Sequence, residues 1–169
     1  NLKAAEYVSP SITLDEDDAI GTLQLQTKQS RRDNFNAVKG VFSPASTDYV
    51  PADYPALTSS TFLAEDNGEQ KFLELNMPYT TSSAMAQRLA KIGLFRNRQQ
   101  IALTGVFNLK AFQLNVGDTV NITNSKFGFS SKVFEVADWG LTVVGDAETA
   151  VSLVLRETNS AVYDWSAEE

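Results

Sequence analysis

Histidine and cysteine are both absent from the 169 residues. Without them the chain cannot assemble a Ser-His-Asp or Cys-His unit, a thiolate nucleophile, a zinc site of the usual kind or an iron–sulfur cluster. No disulfide framework is possible, so cysteine usage says nothing of the redox compartment. Missing too are an apolar run of the roughly 18–20 residues needed to span a membrane and a basic-then-apolar leader at the start. The first residue is Asn1 rather than Met, which points to a piece of a longer chain. What chemistry remains is that of carboxylates, lysine or oxygen-ligated cations.

A composition of 43% hydrophobic and 21% charged residues is that of a chain that folds. The net charge of −7 is lopsided, with twelve acidic and six basic residues in 1–84 against nine and eight in 85–169. An acidic chain lacks the basic field that releases counterions from phosphates, so no specific nucleic-acid binding is expected. It would suit a surface that DNA passes without sticking.

Residues 1–32 read as an acidic arm or connector, with Asp15-Glu16-Asp17-Asp18 leading into the alternating Leu23-Gln24-Leu25-Gln26. From Phe35 to Phe42 apolar residues fall on both faces, as in a strand covered on both sides. Ser43–Ser60 carries Pro44, Pro51 and Pro55, so it is a long connection and no central strand. Thr61-Phe62-Leu63 and Lys71–Met77 flank Glu65-Asp66-Asn67-Gly68-Glu69, which predicts a hairpin. One amphipathic helix is predicted over Ser82–Asn97, with Met85, Leu89 and Ile92 repeating at i, i+4 and i+7 and the small Ala86, Ala90 and Gly93 beside them, which would let it lie close against a sheet or another helix. The remainder alternates with period two: Ile101–Lys110, Thr119–Thr123, Val133–Ala137, Leu141–Val144 before a Gly145-Asp146 turn, and Val151–Arg156. The expected fold is α+β, mainly β: an antiparallel barrel-like or sandwich domain over residues 33–169 with one helix at about 82–97.

Candidate sites are few. The Asp15–Asp18 cluster lacks the spacing of a calcium loop and reads as a solvated acidic turn, so no metal and no cofactor are expected. Asp118, after Gly117, reads as turn chemistry. Arg88, Lys91 and Arg98 lie along the polar side of the helix and make the preferred interface candidate. Tyr49, Tyr54, Phe127 and Phe129 sit on loops and could anchor a subunit or stack a sugar. No carboxylate pair is placed for glycoside hydrolysis, and no enzyme activity is expected. Ala161-Val162-Tyr163-Asp164-Trp165 is expected to dock on the fold or on a following module.

Four segments in order resemble one known family. Asp33-Asn34-Phe35-Asn36-Ala37-Val38-Lys39-Gly40, then Ala86-Gln87-Arg88-Leu89-Ala90, then Leu114-Asn115-Val116-Gly117-Asp118-Thr119-Val120, then Leu155-Arg156-Glu157 with Val162-Tyr163-Asp164-Trp165 are similar to the tail-hub region of phage tail-tip proteins. That family includes the host-specificity tip protein of lambda-like siphophages and the hub proteins of contractile-tail baseplates. The resemblance implies a structural, trimeric hub that closes the tail tube and carries host-recognition modules. It implies other tail-tube and tail-tip proteins as partners, and a place at the virion tail tip after assembly in the bacterial cytoplasm. Family members are much longer than this chain. The alternative from the residues alone is a carbohydrate-binding β module using the loop aromatics.

Overall fold

The computed structural model describes residues 7–28, 30, 34–145 and 147–165. Asp33 and Asp146, and parts of the expected arm including Arg32, lie outside them. The described residues form two compact units, one of residues 30–98 with 162–165 and one of residues 7–28 with 99–161. The fold is α+β and mainly β.

The second unit is built on a six-stranded sheet. Its strands are β1 (Thr13–Leu14), β2 (Ala19–Gln26), β8 (Ala102–Phe107), β9 (Thr119–Asn124), β10 (Phe129–Val144) and β11 (Glu148–Glu157), in the order β1-β9-β10-β11-β8-β2. All neighbours are antiparallel except β1 with β9, and the sheet curls into a half-barrel. Its inner face follows the expected alternation. Leu103 and Phe107 on β8, Val120 and Ile122 on β9, Phe134 and Val136 on β10, and Leu153 and Leu155 on β11 are all buried in one cluster with Leu14 and Val151. The stretch expected to be an arm is therefore structural: β1 and β2 border the sheet, because Leu14, Leu23 and Leu25 find apolar partners there. Two of the expected strands, 133–137 and 141–144, are one, since the backbone runs through an irregularity between Val136 and Asp138 without leaving β11.

The first unit holds the helical part. β3 (Ala37–Lys39) lies between β6 (Leu57–Thr58) and β7 (Phe72–Glu74), and β4 (Val41–Phe42) pairs with β5 (Ala52–Asp53). Ala37 and Val38 are both fully buried, as a strand covered on two sides requires. The proline-rich connection contributes the short edge strands β5 and β6 and a 3-10 turn at Ala45–Thr47. No hairpin forms at 61–77. Ser60–Glu65 is a helix, α1: the Ser59 side chain accepts the Phe62 N–H, and Asn67 and Gly68 take left-handed conformations (φ 58° and 79°) that end it. Gly68 N–H donates to Leu63 O at 2.8 Å, so the residues that read as a hairpin turn close a helix.

The long helix, α2, spans Ser83–Arg98. Its buried stripe is Ala86, Ala90 and Leu94, one or two positions on from the predicted Met85, Leu89 and Ile92. The alanines permit close packing on β3, where Val38, Phe42 and Tyr54 complete the cluster. Leu89 and Ile92 are half-buried, and Met85 is exposed.

Candidate functional site

Polar residues along α2 are mostly occupied within their own unit. Arg98, expected to face outward, is the most enclosed: both terminal guanidinium nitrogens reach the Asp66 carboxylate, Nη1 to Oδ1 at 3.2 Å. The guanidinium also lies over the Phe62 ring, 4.8 Å from its centroid. Asp66 accepts a further bond from Asn36 Nδ2 at 2.9 Å. The Arg98 hydrogen bond is the main reason its carboxyl sits below the ordinary aspartate range, against a smaller opposing effect of burial. The group ties α1 to α2, which sequence spacing does not reveal because the partners are 32 positions apart.

Lys91 is half-buried, with its ammonium 5.7 Å from the Phe95 ring centroid and 5.8 Å from that of Trp165. Arg96 Nη2 donates to the Tyr163 hydroxyl at 2.8 Å and lies over that ring. Cations on α2 thus dock the terminal aromatics Tyr163 and Trp165, the first of the two outcomes expected for that segment. Arg88 alone of the three predicted cations stands exposed.

The loop aromatics separate in the same way. Tyr54 is a core residue whose hydroxyl donates to Leu75 O at 3.0 Å, and burial pushes its phenol pKa up. Phe127 and Phe129 are half-buried against the sheet core, with Phe129 5.7 Å from the Phe134 ring. Tyr49 is exposed, on a turn where it and Asp48 both have positive φ. Tyr79, at 95% exposure on the turn after Pro78, is a surface aromatic that sequence reasoning did not single out.

The acidic residues do structural work. Asp15 Oδ1 accepts the Asp17 and Asp18 N–H groups, and Asp18 is buried. Asp18 accepts Lys110 Nζ at 2.6 Å and Asn108 Nδ2 at 2.9 Å. Burial is the largest single influence on its carboxyl and pushes upward, but these bonds and the Asp15 N–H together outweigh it and the pKa is lowered. Asp118 Oδ2 accepts the Asn115 N–H at 2.8 Å across the Gly117 turn (φ 94°). Among the described residues no group of three or more acidic side chains is arranged to hold a metal.

One group of exposed apolar residues lies on the β10–β11 hairpin and the Leu109–Gln113 turn beside it. β10 is 16 residues long but pairs with β9 only over Phe129–Glu135, with one further backbone exchange joining Val136 to Gly117 and Asp118. On its other flank β11 pairs with β8 only from Val151 onward. The hairpin end therefore projects as a two-stranded ribbon. Trp139 and Leu141 face Leu153 and Val151, so they lie on the core face of the sheet, and Val143 follows on that face. Leu141 is 54% exposed and Val143 64%. Phe112, on the 3-10 turn Leu109–Gln113, is also exposed and meets Trp139 edge-on at 5.9 Å. Leu109 shares its side of that turn, three residues away. Alternation predicted a strand at 141–144, but not that its neighbour would stop short.

No protein-family model matches the sequence, and no curated protein matches it significantly. Several solved structures share its fold. The tail protein from Neisseria meningitidis superposes with a TM-score of 0.64 at 16% identity, over 93% of this chain and 47% of that one. A chain of the virion of a native gene transfer agent particle gives 0.67 at 14%, over 95% and 34%. The 43 kDa tail protein of prophage MuSo2 from Shewanella oneidensis gives 0.57 at 13%, over 96% and 48%. The chain thus spans less than half the length of each of these proteins.

Proposed function

We propose that this chain is a non-enzymatic structural component of a phage or prophage tail tip. It forms part of an oligomeric hub, trimeric as the sequence resemblance implies, that closes the tail tube and carries host-recognition modules. The observation that carries this reading is the likeness of fold across 93–96% of the chain to two tail proteins and a virion component. The site geometry is consistent with it, since the carboxylates Asp18, Asp66 and Asp118 are engaged in holding turns and helices together. An uneven, net acidic charge suits a protein beside which DNA must move without adhering.

In this reading the surface serves assembly. The exposed Leu141, Val143 and Phe112 are contact groups, and Arg88 on α2 offers a steering charge toward the acid-rich residues 1–84 of a neighbour. The carbohydrate-binding alternative is weakened by the burial of Tyr54 and the packing of Phe127 and Phe129, which leave Tyr49 as the one exposed member of its aromatic set. Sedimentation equilibrium across a wide concentration range tests the oligomer: a trimer is expected, and a closed isologous dimer would count against a hub. Glycan-array binding lost on Tyr49→Ala would favour the alternative instead.

A further inference from the structure

A second group of exposed apolar residues lies in the first unit. Tyr79, 95% exposed, follows Pro78 in a turn that the Thr80 N–H closes on Met77 O at 3.0 Å. Tyr49 and Val50, also exposed, stand on the turn that leaves β4 and returns as β5. Both turns are built on one strand end: Phe42 pairs with Ala52 on one side and bridges Met77 on the other, and Ser43 N–H donates to Thr80 O at 3.0 Å. Fixed backbone holds each ring out, since Pro78 presets its turn. On the other turn the Tyr49 N–H donates to Pro44 O at 3.1 Å and Thr47 Oγ1 donates to Val50 O at 3.0 Å. Asp48 and Tyr49 there have φ of 51° and 63°, a left-handed pair with no glycine. Such backbone is costly for residues with a Cβ and gathers where ligands are held.

Charge indicates what fits these rings. Residues 40–87 hold six acidic side chains and one basic one, Lys71, which pairs with Glu69. Asp48, beside Tyr49, and Asp53, on β5, are exposed, and their carboxylates have no hydrogen bond or ion pair among the described residues. Elsewhere in this unit the chain covers such groups with its own cations: Arg98 lies over Phe62 and grips Asp66, and Arg96 lies over Tyr163. Tyr49 and Tyr79 carry no cation among the described residues. A partner that supplies one completes the pattern, and arginine suits it better than lysine, because a planar guanidinium covers a ring while its edge pairs with a carboxylate, as in Arg98. Among the described arginines of this unit Arg88 alone is exposed and uncommitted. One arginine cannot serve two rings and two carboxylates, so a second copy fits less well than a different protein.

We infer that Tyr49 and Tyr79, with Asp48 and Asp53, form a docking surface for an arginine-bearing segment of a different protein. The rings take the guanidinium faces and the carboxylates take their edges. The one-sign field of residues 40–87 draws the cationic segment in. Tyrosines on fixed turns lose little freedom when covered, which is why such rings dominate contacts of this kind. The inference goes beyond the proposed structural role and does not depend on it.

The test is a titration of the isotope-labelled chain with the peptide Gly-Arg-Gly-Arg-Gly and its lysine and glutamate counterparts, followed by nitrogen–proton correlation spectra. The arginine peptide should give saturable shifts at the amides of residues 47–53 and 79–80, the lysine peptide weaker ones and the glutamate peptide none. Tyr79→Ala and Tyr49→Gly should each weaken arginine-peptide binding severalfold, and together about tenfold. Glycine accepts the left-handed backbone at position 49, so the unfolding midpoint of Tyr49→Gly should not fall while its binding does, which separates lost contact from lost fold. Asp48→Asn with Asp53→Asn should remove most of the salt dependence. No saturable shift by about 10 mM peptide would overturn the surface. Equal affinity for the lysine peptide, or unchanged binding in the double tyrosine variant, would do the same. Concentration-dependent shifts at these amides without peptide would give the patch to a second copy and overturn it as well. Each of these failures leaves the tail reading standing, because that reading is tested on particles.

Discussion

Alanine at position 40 should be among the most damaging small changes available to the first unit. Gly40 lies between β3 and β4, where a Cβ would stand 2.1 Å from Leu75 O and 2.6 Å from Leu75 C. Ordinary contact begins near 3.4 Å, and the obstacle is backbone rather than the end of a flexible side chain. The segments must part. Doing so stretches the bonds from Leu75 N–H to Lys39 O and from Met77 N–H to Val41 O, each 2.8 Å, and disturbs the carbonyl that accepts the Tyr54 hydroxyl. Overpacking costs about 1–3 kcal/mol and each weakened bond up to roughly 1 kcal/mol, so the sum is about 3–5 kcal/mol. That is a large part of the stability of an ordinary domain. Gly93→Ala on α2 is the control: its nearest neighbour is Leu75 Cδ2 at 4.0 Å, and removing a helical glycine gains roughly 0.5–1 kcal/mol. Urea denaturation followed by circular dichroism should move the two variants in opposite directions. A Gly40→Ala protein within about 0.5 kcal/mol of the parent would refute the close approach.

Other outcomes follow from the same structure. Leu153→Ala, at a fully buried position in the sheet core, should cost about 2–5 kcal/mol in the same assay, and a loss under about 0.5 kcal/mol would show the inner face to be misassigned. Asp66 has a lowered pKa, so its contribution is present above the ordinary aspartate value of 3.8 and is lost as pH falls through the folded-state value; Asp66→Asn should lower stability at neutral pH and flatten the acid limb of the stability–pH curve. Arg88→Glu, at the exposed cation of α2, should weaken self-association at low salt and reduce its salt dependence, read by sedimentation, while the unfolding midpoint stays near the parent's.

Period-two alternation was enough to place β8, β9, β11 and the two halves of β10, because each strand there has one inner face. It failed where one local signal serves two structures. Asn67-Gly68 supplies left-handed backbone, which a hairpin turn and a helix end require equally, and only the capping by Ser59 and the packing of Phe62 on Phe95 decide between them. On α2 the large Leu89 and Ile92 are only half-buried, whereas Ala86 and Ala90, the small residues expected to let the helix lie close against a sheet, are fully buried. The candidate site was less legible still. Exposure of Tyr54 or Arg98 depends on partners far along the chain, Leu75 and Asp66, that no spacing rule brings together. The hairpin projection depends on a difference in length between β10 and β9, visible only once register is known.

The most direct test of the structural role is to locate the chain in particles. Antibody raised against the folded chain, applied to intact phage-like particles that carry its gene and viewed by electron microscopy, should label the tail end distal to the head. Label confined to heads, or particles that carry none while the protein remains free in the lysate, would contradict it.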